Sequence, residues 1–79
     1  MKTEFYAVKD ELAEVFYAPS LFTSKAEAER NFKTAIKNNP IWNDNAADFS
    51  LYKLGEFDDA TGMILTDLHK IASGHSYKS

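Results

Sequence analysis

The chain opens on a short polar stretch and then places Phe5, Tyr6, Ala7 and Val8 in succession, an aromatic and β-branched run bounded by Thr3 and Asp10. Such a run predicts a strand buried on both faces. The charged segment Lys9 to Glu14 has the composition of a short helix start or of a turn. Val15-Phe16-Tyr17 follows at once and Pro19 stops any helix, so a turn between two hairpin strands is the favoured expectation. At Ser24-Lys25-Ala26-Glu27 the pattern changes period. A serine oxygen there can cap the third helical amide while the glutamate reaches back to the cap. Ala28, Phe32, Ala35 and Ile36 then recur at offsets of four, seven and eight, predicting a helix with one apolar face packed on a sheet. Asn38-Asn39-Pro40 ends it, because proline pushes the preceding residue out of the helical region.

Ile41 to Ala47 reads as a polar connection holding one tryptophan, and Asp48 to Asp58 as the longest strand. Its alternation is imperfect. Phe49, Leu51 and Phe57 fall on one face and Tyr52 and Leu54 on the other, so the core face stays open, and Gly55 marks a bulge or a close backbone approach. Asp58 to Gly62 predicts a hairpin loop, since an aspartate can accept from the amide two residues on and Gly62 can take positive φ. Met63-Ile64-Leu65 returns as the partner strand; Thr66 to Ala72 is one helical turn or a fifth strand. Residues 73–79 read as a flexible tail after a single domain over residues 1–72. The fold class expected is α+β: a small antiparallel sheet of about four strands, in β-β-α-β-β order, with one helix packed across a face. The other face stays partly free, and exposed aromatic sheet faces bind nucleic-acid bases or other proteins.

Seventy-nine residues hold one small core, and 44% hydrophobic with 27% charged residues is a globular composition. Cysteine is absent, which excludes a disulfide scaffold, a cysteine nucleophile and thiolate zinc sites. No signal peptide opens the chain and no apolar run approaches the roughly 18 residues of a membrane span, so the expectation is a protein neither exported by that route nor embedded. A net charge of −3 and a pI near 5.2 argue against coating nucleic acid by bulk attraction. A DNA contact therefore needs a local basic patch.

The chemistry of catalysis is missing. Asp44, Asp48, Glu56, Asp58 and Asp59 cluster, but turn geometry and solvation account for them, and the spacing from Asp58 onward is not that of a calcium loop. His69 and His75 are read as surface residues without a carboxylate placed to orient either ring. There is no nucleophile elbow and no phosphate-cradling glycine loop. No enzyme activity, cofactor, metal or small-molecule substrate is expected. What remains is binding. Arg30, Lys33 and Lys37 form a ridge beside the apolar face of the helix, able either to meet phosphates or simply to complement the helix dipole. Lys53 and Tyr52 are possible additions, and Tyr6, Tyr17 and Trp42 join Tyr52 as candidate base-stacking platforms.

The run from Ala47 to Gly62, Ala-Asp-Phe-Ser-Leu-Tyr-Lys-Leu-Gly-Glu-Phe-Asp-Asp-Ala-Thr-Gly, resembles the small nonstructural protein of gokushoviruses, single-stranded DNA phages of the Microviridae. The first strand running into Asp10 and the segment Ala28-Glu29-Arg30-Asn31-Phe32 are similar too, and the resemblance extends over most of residues 3 to 65. It implies a DNA-associated phage protein of the host bacterial cytoplasm that takes part in viral DNA synthesis and packaging into procapsids, a role compared with that of the packaging protein C of other microviruses. Two functions follow as expectations. The first is non-enzymatic binding of viral single-stranded DNA or the replication complex. The alternative is a homo-oligomeric assembly protein that contacts procapsid or replication proteins without touching DNA.

Overall fold

The computed structural model describes residues 2–77. Five strands, β1 (Lys2–Asp10), β2 (Val15–Phe16), β3 (Ser20–Phe22), β4 (Phe49–Asp58) and β5 (Ile64–Ser73), form one antiparallel sheet. The order across it is β2, β1, β4, β5, with β3 also pairing on β1. The helix α1 (Lys25–Asn38) covers one face. The α+β class is as expected, with one strand more than the four anticipated.

Turn chemistry sets the ends of these elements. After β1 the Asp10 carboxylate accepts from the backbone N–H of Leu12 and of Ala13, closing the tight turn into β2. Pro19 cannot donate to a ladder, so the returning edge breaks into β2 and β3 rather than running as one strand. Ser24 caps α1 by accepting from the Glu27 N–H at 3.2 Å. The reciprocal half of the capping box differs from expectation: Glu27 takes the Thr23 hydroxyl at 3.0 Å instead of the cap amide.

The expected connection over residues 41–47 is helical instead, with α2 (Pro40–Asp44) and a 3-10 turn at Ala46–Asp48. Asn39 explains the difference. Its N–H closes α1 on the Ala35 carbonyl, while its side chain accepts from Ile41 and Trp42, so one residue ends a helix and starts the next with Pro40 in the first turn. Thr66 to Ala72 resolves as strand, continuing β5. Within the expected tail, Ser73 ends β5 and Gly74–Tyr77 make a 3-10 turn, with the Tyr77 ring 5.8 Å edge-on from Phe32. The last two residues of that tail lie outside the described residues.

The core lies between α1 and the sheet. Ala28, Phe32 and Ile36 from the helix meet Tyr6 on β1 and Phe49 and Leu51 on β4, and Ala46 closes one end. Burying a residue such as Phe32 or Ile36 is worth about 1.5–3 kcal/mol each. Phe5 pairs with Gly55 and Tyr6 with Lys53, so Leu54 is an extra residue on β4. This bulge corrects the strand's periodicity. Phe57, opposite Thr3, lands on the face away from the helix, not with Phe49 and Leu51.

Candidate nucleic-acid interface

The burial of Ala28, Phe32 and Ile36 turns the opposite side of α1 to solvent. At 100° per residue Arg30, Lys33 and Lys37 fall within about 60° of one another on that outer side, and all three are exposed. Their surroundings set them apart from the other cations. Lys2 pairs with Glu56, Lys9 with Glu11, Lys25 with Glu29, Lys53 with Glu4 and Glu56, and Lys70 with Glu11. Among the described residues, the cations without a carboxylate partner are Arg30, Lys33 and Lys37. Between Glu29 and Asp44 the chain carries these three cations and no acid. An acidic protein thus keeps one strip of uncompensated positive charge.

Lys53 and Tyr52 do not join that strip. The Lys53 ammonium lies 3.1 Å from Glu4 and 3.2 Å from Glu56, and the Glu4 carboxylate also receives the Tyr6 hydroxyl at 2.9 Å. The hydrogen bond to Glu4 is the main cause that raises the Lys53 pKa, outweighing burial. Burial would raise the Glu4 carboxyl, but the bonds from Tyr6 and Lys53 prevail and lower it. Tyr52 projects from the sheet face opposite α1. It pairs with Ala7, its hydroxyl donates to Glu11 at 3.0 Å, and its ring meets Phe16 edge-on at 5.3 Å. Glu11 also accepts from Ser50 and faces Lys9 and Lys70, so this patch of the far face is bound up in its own polar cluster. The Glu11 carboxyl is held low despite desolvation, by Lys9 and Tyr52 above all.

Of the aromatic candidates, Tyr6 is 2% exposed and belongs to the core, which removes it as a stacking platform. Tyr17 and Trp42 remain. Tyr17 is exposed and tilts on Trp42 at 5.5 Å, and Trp42 in turn stacks on Phe49 at 4.6 Å. This ladder borders a cleft of about 230 Å³ between α1 and the segment joining β2 to β3. A second, open groove of about 440 Å³ runs along the same flank of α1, lined by Arg30, Asn31 and Thr34, with Glu27 at one point of its wall. The two cavities share Phe22, Asn31 and Ala35. The sequence reading missed Phe22, Asn31 and Thr34 as site residues; the available signal was that positions 31 and 34 flank the cationic stripe on the helix.

The acids behave as turn and strand residues. Asp58 accepts from the Ala60 N–H in the hairpin loop, Gly62 adopts φ 76°, and Glu56 is held by Lys2 and Lys53. One expectation is corrected: His69 does have a carboxylate beside it, Asp67 at 2.9 Å, because both protrude from the exposed strand β5. Among the described residues no group of three or more His, Asp or Glu side chains is placed to hold a metal ion, and no helix is long and apolar enough to cross a membrane.

Comparison with protein families finds one described as Phage ORF5 protein, matching residues 3–77. No curated protein and no solved structure matches the chain.

Proposed function

The chain belongs to the Phage ORF5 protein family, and from that premise we propose that it is a non-enzymatic phage protein that binds single-stranded DNA through the outer side of α1. One observation carries the reading: among the described residues, the three lysine and arginine side chains without a carboxylate partner lie together along one exposed helix face. A carboxylate partner would compete with phosphate for each of them, and none is present among the described residues. The phosphates of a flexible strand can follow such a stripe without any reading of base sequence. Within the family, the run Ala47 to Gly62 supports the narrower reading of a gokushovirus nonstructural protein. That protein would act in the host bacterial cytoplasm, at viral DNA synthesis and packaging into procapsids, on the strand itself or on the replication complex holding it.

The test is fluorescence anisotropy of a labelled single-stranded oligonucleotide against the protein and its Arg30→Gln, Lys33→Gln, Lys37→Gln triple variant. Saturable binding lost in the variant supports the interface. Equal binding by both proteins removes the helix from the account.

A second reading, assembly through copies of this chain, is favoured by β5. Among the described residues only β4 pairs with that strand, leaving its other edge without a strand partner there, and Ile64, Leu65 and Leu68 are exposed on it. The opposite edge of the sheet is broken at Pro19, whereas β5 contains no proline. Light scattering separates the readings: an oligomer that ignores DNA favours assembly.

A further inference from the structure

The helix cations account for phosphate contact and leave the neighbouring cleft without a role. Its walls and the groove beside it combine three features. Tyr17, Phe22 and Trp42 supply aromatic surface. Asn31 supplies an amide that makes no hydrogen bond among the described residues. The adjoining groove carries Arg30, whose guanidinium has no carboxylate partner. A planar heterocycle edged with donors and acceptors and joined to an anion is the ligand chemistry that matches all three. At about 230 Å³ the cleft lies below the range of about 300–1,000 Å³ typical of drug-sized sites. That is room for one ring system rather than two.

We propose that the cleft between α1 and residues 17–19 receives one unpaired nucleobase of the bound single strand, lying against the Tyr17–Trp42 pair, with Asn31 at its edge and its phosphate on Arg30. This rests on the single-strand reading above and deepens it, turning a strip of charge into a site that distinguishes a strand with free bases from a bare polyanion. The floor of the cleft is core, with Tyr6, Phe32 and Leu51, and its outer wall carries the exposed Tyr17. Tyr17 belongs to the irregular link between β2 and β3, is tied by its backbone N–H to the Val8 carbonyl at 2.8 Å, and keeps its ring exposed. A duplex, whose bases are stacked and paired, presents nothing to the cleft. The protein is therefore expected to prefer single strands by more than charge density explains.

Trp42 is the only tryptophan of the chain and borders the cleft, so its fluorescence reports occupancy directly. The experiment titrates the full chain with oligothymidylate and, separately, with an abasic phosphodiester strand of equal length, reading Trp42 emission and the anisotropy of an end label together. The expected result is quenching of Trp42 by oligothymidylate only, binding of the abasic strand weaker on the order of tenfold, and a similar loss for Tyr17→Ala with the intact strand. Because Tyr17 is exposed, that variant is expected to keep its fold, which circular dichroism checks. Equal binding of both strands with unchanged Trp42 emission would overturn the base site and leave the phosphate stripe standing. Absence of binding by either strand at low salt would remove the stripe, and the base site with it.

Discussion

Gly55 on β4 lies directly against the carbonyl oxygen of Leu65 on β5, so closely that a methyl group at position 55 would collide with it. The bulge at Leu54 brings the two backbones to this approach, and φ of 159° at Gly55 suits a residue without Cβ. Gly55→Ala is expected to destabilise the protein by about 2–4 kcal/mol. Chemical denaturation measures this; a loss below about 1 kcal/mol would show that the hairpin shifts freely to admit the methyl.

The Tyr6 phenol is pushed up to about 12 by burial first and by its hydrogen bond to Glu4 second. A folded value above the ordinary 10.0 means that this stabilisation is fully present below pH 10 and is lost as pH rises through about 12. Phenolate absorbance should therefore show a component with a midpoint near 12 that Tyr6→Phe removes. A Tyr6→Phe titration identical to the wild type would show that the phenol is not held in this way.

Glu11 gathers Lys9, Lys70, Ser50 and Tyr52 on the far face of the sheet, and its carboxyl is lowered from the ordinary 4.5. A lowered folded value contributes stability above pH 4.5 and loses it as pH falls further, through the folded value. Glu11→Gln should flatten the acid limb of the stability curve and lower stability at pH 7. An unchanged acid limb would show that Glu11 carries none of it.

Ser24 separates folding from binding. Its side chain caps α1 through the Glu27 N–H, far along the helix from Lys33 and Lys37. Ser24→Ala should cost about 1 kcal/mol in thermal or denaturant unfolding, with affinity for single-stranded DNA unchanged at temperatures where the protein stays folded.

The reach of the sequence differs between elements for physical reasons. The helix α1 was legible because its cap, apolar period and stop are all local, and the same period exposed Arg30, Lys33 and Lys37 as one stripe. The hairpin at Asp58 to Gly62 was legible from its turn chemistry, which the Ala60 amide bond and the positive φ of Gly62 show in place. α2 was hidden because Asn39-Pro40 reads as a stop, while the capping that restarts the chain uses the same asparagine. Strand period alone puts Phe57 on the face of Phe49 and Leu51, because it does not reveal that the bulge at Leu54 resets the alternation. Lys53 offered a basic residue on a strand, but its partner Glu4 lies 49 residues away, and only the β1–β4 register brings them together. The sequence carries charge; pairing decides which charge is available to a partner.

The salt dependence of single-strand binding tests the central claim most directly. Three phosphate contacts, at about 0.7 released counterions each, predict a slope of log affinity against log salt near −2 for the wild type. The Arg30→Gln, Lys33→Gln, Lys37→Gln triple variant should bind little or not at all, with any residual slope near zero. A triple variant that keeps both the affinity and the slope of the wild type would contradict the account, and would place whatever contact the protein makes with DNA away from α1.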